Sequence, residues 1–205
     1  MPLLKRPVKS ASQTGEPSKQ GKRARRGAKA AAGPCTVITV RARPGTPQRG
    51  WLSCGPLRVP CALGKNGISR FTREGSGTTP AGRWRLVAVR YRADRGPRLK
   101  TPLPVHTIRP ADGWCDAPDD RNYNRFVCHP YTASAEHLWR EDCLYDIIVV
   151  LDHNQRPRRR HFGSAIFFHV AKPGFPPTAG CIAVSAGALR RVLAMAGPCA
   201  VLDIR

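Results

Sequence analysis

The chain lacks any apolar run that could cross a membrane. No window of its 205 residues approaches the roughly 18 successive apolar residues of a spanning helix, so no membrane span is expected. Acidic residues are scarce: 13 Asp and Glu stand against 35 Lys and Arg, a formal net charge of +22. That balance disfavours cationic partners and favours anionic ones. Aromatics are also few, at 7%, and no nucleic-acid-binding motif accompanies the charge. Nucleic-acid binding is therefore a second reading that rests on charge alone. There are eight cysteines but no CxxC pair, which argues against a zinc ribbon or a thioredoxin-type motif. His153, His161 and Cys143 fall at no recognisable ligand spacing, so no metal site is expected. With Cys181 as a free thiol, seven cysteines remain, and at least one more must stay unpaired. Disulfides are conceivable among Cys115, Cys128 and Cys143, or between Cys54 and Cys61. The basic N-terminus is followed by no apolar segment of the kind a secretory signal needs, and Arg25-Arg26 lacks the apolar segment of a twin-arginine signal.

What is there begins with a compositional boundary. Residues 1–33 hold nine Lys and Arg against Glu16 alone, without an aromatic residue. This is the composition of a disordered basic tail. The ordered domain is expected over residues 34–205, as a monomer. It still carries +14 of the +22. Its apolar runs are short and spaced by Gly, Pro and Asn. Strands are expected at Thr36–Arg41, Leu57–Leu63, Arg83–Arg92, Pro104–Ile108, Tyr145–Leu151, Ser164–Val170 and Ala200–Ile204. Pro60 would confine the second of these to an edge or a bulge. Residues 109–135 read as a long irregular loop, which in a compact domain is usually functional. Glu136–Asp142 reads as a turn or two of helix. One helix is clear: Ser185 caps it, Leu189, Val192, Leu193 and Ala196 share a face, and Gly197-Pro198 stops it. The fold class is mainly β, a sandwich or barrel with one C-terminal helix.

The chemistry concentrates in FFHVAKPGFPPTAGC, Phe167–Cys181. His169 closes a strand and Cys181 precedes the helix. Between them Pro173, Pro176 and Pro177 each fix φ, so the loop loses less entropy in bringing its ends together. A thiol beside an imidazole and near a helix N-terminus has a lowered pKa, and its thiolate is a nucleophile. Gly180 permits close backbone approach, and the amides of Gly180, Cys181 and Ile182 can face a developing oxyanion. On spacing alone a structural pair is the commoner outcome, because free cysteine is among the most buried residue types.

The segment SAIFFHVAKPGFPPTAGCIAVS resembles the active-site segment of the L,D-transpeptidases, the YkuD-type catalytic domain. In that family a strand ends in histidine and a Gly-Cys motif follows a variable loop. Upstream, GSGTTPAGRWRL (Gly75–Leu86) resembles the family's Thr-Pro-x-Gly-x-aromatic segment. The order of motifs is more specific than any one of them. The branch is divergent: Thr178-Ala179 replaces the common Ser-His, Ala183 replaces an Arg or Asn, and Val170 leaves only a backbone carbonyl to orient His169. The resemblance implies a YkuD-like β-sandwich or barrel and a peptidoglycan stem peptide as substrate. Cys181 would attack a carbonyl at an L-centre, His169 would act as base, and an amine would resolve the thioester into a cross-link. Water as acceptor would give an L,D-carboxypeptidase, and a free D-amino acid would give exchange. It further implies no cofactor, acylation by carbapenems, and a periplasmic or cell-envelope location. Thr178, Tyr145, Trp114 and Asn124 are the candidate substrate-binding residues, the latter two from the long loop.

Overall fold

The computed structural model describes residues 34–205, so the expectation for the basic tail lies outside the described residues. Alternation builds the first strands. β1 (Cys35–Arg43) buries Ile38 and Val40 and turns Arg41 and Arg43 outward. β2 (Thr46–Cys54) returns antiparallel with Leu52 and Cys54 inside, and β3 (Leu57–Ala62) follows. The dipeptides β4 (Ile68–Ser69) and β5 (Thr79–Pro80) pair in parallel. β6 (Gly82–Tyr91) is the longest strand, and β7 (Val105–Thr107) lies parallel along its second half. Next come β8 (Asp112–Cys115), β9 (Arg125–Cys128) and β10 (Ala135–His137). The chain ends in β11 (Ile147–Leu151), β12 (Phe167–Val170), β13 (Ile182–Val184), helix α1 (Ala186–Met195) and β14 (Ala196–Ile204).

The main sheet runs β11-β12-β13-β3-β2-β1-β14-β6, and β6 pairs back onto β11. Eight strands thus close into a barrel, which removes their free edges. Ile38, Val40, Leu52, Val149, Phe168, Ile182 and Leu202 fill it, and α1 adds Leu189, Val192 and Leu193 to the same cluster. Each such side chain contributes about 1.5–3 kcal/mol by leaving water. Ser185 caps α1 as expected, its hydroxyl accepting from the Ala188 amide at 3.3 Å.

A second apolar cluster lies outside the barrel. Ile148, Val150 and Phe167 project from the opposite face of β11 and β12 and meet Trp114, Leu138 and Tyr145. Their cover is the region expected to be an irregular loop. It is instead a three-stranded antiparallel lobe in the order β10-β8-β9. Glu136–Asp142 is not helical: Glu136 pairs with Trp114 across β10 and β8, and ladder bonds override the local helix preference.

Three element ends also differ from expectation. β12 starts at Phe167 rather than Ser164, because Ala165 takes a left-handed φ of 51° and cannot extend the strand. β11 starts at Ile147, leaving Tyr145 just ahead of it. Helix α1 ends at Met195, since Ala196 is already extended, and Gly197 and Pro198 lie inside β14. There they fall where the β1–β14 register slips, a bulge that tolerates proline.

All eight cysteines are free. The strand registers show why Cys54–Cys61 and Cys115–Cys128 bridges do not form. Cys61 opposes Gly50 while Cys54 opposes Leu57, and Cys128 opposes Asp112 while Cys115 opposes Arg125. Each pair is thus several residues out of step, beyond the roughly 7 Å Cα separation a disulfide can span.

Candidate active site

β12 and β13 run parallel, with Phe168 opposite Ile182 and His169 opposite Ala183. Strand alternation then sends Phe168, Val170, Ile182 and Val184 into the barrel. Phe167, His169 and Cys181 fall on the other face. His169 and Cys181, 4% and 8% exposed, both line a cavity of about 850 Å³ between the barrel wall and the lobe. The proline loop makes the short parallel connection between them. Arg49 ties it to the barrel, donating from Nη2 to the Gly174 carbonyl at 2.8 Å.

The turn before Cys181 is held from two sides. Thr178 Oγ1 donates to the Cys181 carbonyl at 2.7 Å and accepts from the Gly180 amide at 3.1 Å. Gly180 has φ 147°, and a Cβ there would lie 2.9 Å from the Thr78 carbonyl oxygen, so glycine is required. Thr79 of the same upstream segment accepts from the Gly64 amide at 2.8 Å, and Gly64 bridges to Thr178. The Thr-Pro-Ala-Gly and Ala-Gly-Cys segments, about 100 residues apart in the chain, are thus one packed unit.

His169 Nδ1 lies 2.8 Å from the Val170 carbonyl oxygen. A carbonyl only accepts, so Nδ1 carries the proton and Nε2 keeps a lone pair. Burial is the main cause that lowers the His169 pKa to about 4; the Val170 carbonyl opposes it. The imidazole is therefore neutral at physiological pH. The Cys181 thiol donates to the Ala165 carbonyl at 3.2 Å and accepts from the Phe167 amide at 3.3 Å. Burial pushes it up to about 12, against the Phe167 amide. This corrects the expected lowered thiol pKa. β13 separates Cys181 from the helix N-terminus, and desolvation of the charged form prevails. The resting pair is a neutral thiol and a neutral imidazole.

The structure distributes the remaining candidates unevenly. Tyr145 lines the cavity, its ring edge-on to His169 (centroids 5.5 Å apart) and to Phe167 (5.9 Å). Its hydroxyl donates to Glu136 Oε2 at 2.6 Å. Thr178 also lines the cavity, but its hydroxyl is occupied within the turn. The amide of Gly180 is likewise taken by Thr178, so it is not free to meet an oxyanion. Trp114 and Asn124 stand behind the wall. Asn124 Oδ1 accepts from Trp114 Nε1 (3.0 Å) and from the Ala165 amide (3.1 Å). Asn124 connects to Cys181 through Ala165, whose left-handed backbone aims its carbonyl at the thiol, and Trp114 packs edge-on against Phe167, whose amide donates to the same sulfur.

Sequence reasoning missed the cavity's charged lining except for Asp116, a candidate cleft residue from the long loop. The lining includes Glu74, Asp116 and Glu136 together with Lys65, Arg140 and Lys172. Glu74 accepts from Tyr123 and from Ser164. Burial, then the neighbouring Asp116 charge, raises the Glu136 pKa, with the Tyr145 hydroxyl opposing. No periodic signal marks these residues; only the lobe's strand pairing brings Asp116 and Glu136 together.

The fold is thus a closed barrel with an external cavity, into which a histidine and a cysteine are brought by neighbouring parallel strands joined by a short stiff loop. The family model described as the L,D-transpeptidase catalytic domain, YkuD, matches residues 48–199. The chain belongs to this family, which acts on peptidoglycan. No curated protein and no solved structure matches it.

Proposed function

We propose that the protein is a peptidoglycan L,D-transpeptidase with Cys181 as nucleophile and His169 as general base. The observation that carries this reading is the cavity wall where both side chains sit, with His169 Nδ1 tied to Val170 so that Nε2 is the basic nitrogen. Because the resting thiol is neutral, proton transfer accompanies attack rather than preceding it. Sγ bonds to the stem-peptide carbonyl carbon at an L-centre as its proton passes to Nε2, and the carbonyl becomes an oxyanion beside the amides of Cys181 and Ile182. Collapse expels the D-residue as an amine, which takes the proton from His169 and leaves a thioester. An amine of a neighbouring stem then attacks, losing its proton to Nε2, and the thiol departs with that proton. General base catalysis of this kind contributes about 10²–10⁴-fold. This substrate locates the enzyme in the cell envelope.

Mass spectrometry with a carbapenem tests the reading. The parent protein gains one covalent adduct, on the peptide containing Cys181, and cross-links purified stem-peptide fragments. Cys181→Ala folds, takes no adduct and forms no product. Cross-linking by the variant at the parental rate would overturn the assignment.

A further inference from the structure

Among the described residues, two of the large exposed apolar side chains fall on one patch: Phe71, 90% exposed, and Phe162, 42% exposed. They belong to separate turns, residues 69–76 and 159–163, which are bonded to each other. The Glu74 amide donates to the His161 carbonyl at 2.9 Å. Neither turn is slack. The Phe71 amide donates to Ser69 Oγ at 3.0 Å, and Thr72 beside it is buried. Asn154 holds the second turn with three bonds: it accepts from the Arg159 amide at 2.8 Å and donates to the carbonyls of Arg159 and Gly163, each at 2.9 Å. Fixed backbone therefore presents both rings. The same turns carry four exposed arginines, Arg70, Arg73, Arg159 and Arg160. Within the described residues only Arg160 of these has an acidic partner, Asp119 at 3.6 Å, and both of that pair are exposed. Glu74 is turned inward to Tyr123 and Ser164.

Unpaired arginines alone fit any polyanion. The rings discriminate. A phosphate polymer in water neutralises the guanidiniums but leaves Phe71 wet. A stacked base could cover a ring, yet the guanidiniums of Arg73 and Arg159 already lie over Phe162, each 5.8 Å from its centroid. An anionic bilayer satisfies both kinds of group at once: apolar rings enter the boundary of headgroups and acyl chains, and arginines stay at the level of the phosphates. Their apolar stems lie along the rings while their heads remain hydrated. We propose that the two turns are a docking surface for an anionic lipid bilayer, with Phe71 and Phe162 inserted and Arg70, Arg73, Arg159 and Arg160 on the lipid phosphates. Glu74 and Gly75 of the first turn also line the cavity of Cys181. Docking thus holds that cavity beside the bilayer surface. It is independent of the chemistry at Cys181.

Co-sedimentation of the full chain with lipid vesicles tests the docking surface. Parent and variants all keep the basic residues 1–33, so differences between them report the patch. The parent partitions onto vesicles of mixed phosphatidylglycerol and phosphatidylcholine, and not onto phosphatidylcholine alone. Phe71→Ser weakens that partitioning about tenfold, and Phe162→Ser weakens it less, in keeping with its smaller exposed area. Arg70→Gln weakens it about fivefold. Each variant keeps the parental melting temperature and the parental turnover of soluble stem-peptide fragments. Phe71→Trp reports depth: the difference from the parental emission shifts to the blue on anionic vesicles and is quenched by brominated acyl chains. Parental partitioning by Phe71→Ser overturns the proposal, as does a Phe71→Trp protein that bromolipid does not quench. A single-stranded oligonucleotide is the control polyanion. Phe71→Ser leaves its binding unchanged; a loss as large as that on vesicles overturns the lipid assignment in favour of nucleic acid.

Discussion

The two faces of β12 differ in what they ask of the chain. Phe168 and Val170 enter the barrel, where any apolar side chain of the right volume fills the space. Phe167 and His169, one residue out of step with them, meet the lobe and the cavity. On that face a single histidine tautomer, one carbonyl and one thiol must coincide. On the proposed reading, exchange on the barrel face costs stability, whereas exchange on the cavity face costs activity. The same backbone serves both, so rigidity gained by packing on one side becomes geometric definition on the other.

Four experiments test that contrast. The largest effect belongs to the cavity face: His169→Gln lowers kcat/KM by about 10³-fold or more in a transpeptidation assay, with little change in thermal melting. A loss of folding instead would show that His169 serves the core. Next, Phe168→Ala on the barrel face lowers unfolding free energy by about 3–5 kcal/mol in urea titration, while each folded molecule keeps its activity.

The third is stability against pH. His169 and His153 are held neutral mainly by burial, each with a pKa lowered to about 4. Below the ordinary value of about 6.5 the unfolded chain binds protons that the folded one refuses, so stability falls from there toward pH 4. Cys54, Cys61 and Cys181 are pushed to about 12, mainly by burial. Above about pH 9 the unfolded thiols ionise and the folded ones do not, so stability falls again. A plateau between these limbs, measured by urea midpoints, is the expected curve; stability rising below pH 6 would contradict it. The smallest effect is Thr178→Val, which removes both hydroxyl bonds of the turn and costs about 1–3 kcal/mol. Its kcat should fall more than its KM changes, since the hydroxyl positions Cys181 and is not available to substrate.

The barrel was largely legible because burial on one face writes a period of two into TVITVR and RWRLVAVR. β2 escaped notice: in TPQRGWLSC, Pro47 and Gly50 dilute the β-propensity, and the strand is set by its two neighbours. The lobe escaped because its strands span three or four residues, too few for any period to show. At the site, His169, Cys181, Gly180 and the upstream Thr-Pro segment were legible together as a motif order, and their packing through Thr78 and Gly64 explains why that order is informative. Glu136 was not legible, because its place depends on a strand pairing that no local pattern encodes. The thiol's protonation was misjudged for a related reason: burial is a property of the assembled lobe and barrel, not of the Cys-helix spacing.

The pairing of β14 between β1 and β6 carries a consequence for how the molecule comes into being. β1 is made first among the described strands, and its parallel neighbour is made last. As the chain emerges during synthesis, β1 can take up β2 but must wait on its other side for more than 150 residues. Such distant closure is slow and leaves an apolar edge open in the meantime. The cavity forms only against a finished barrel wall, so the buried thiol and its base first meet in a molecule whose synthesis has passed β14. Birth of the chain and onset of its reactivity are thereby separated in time.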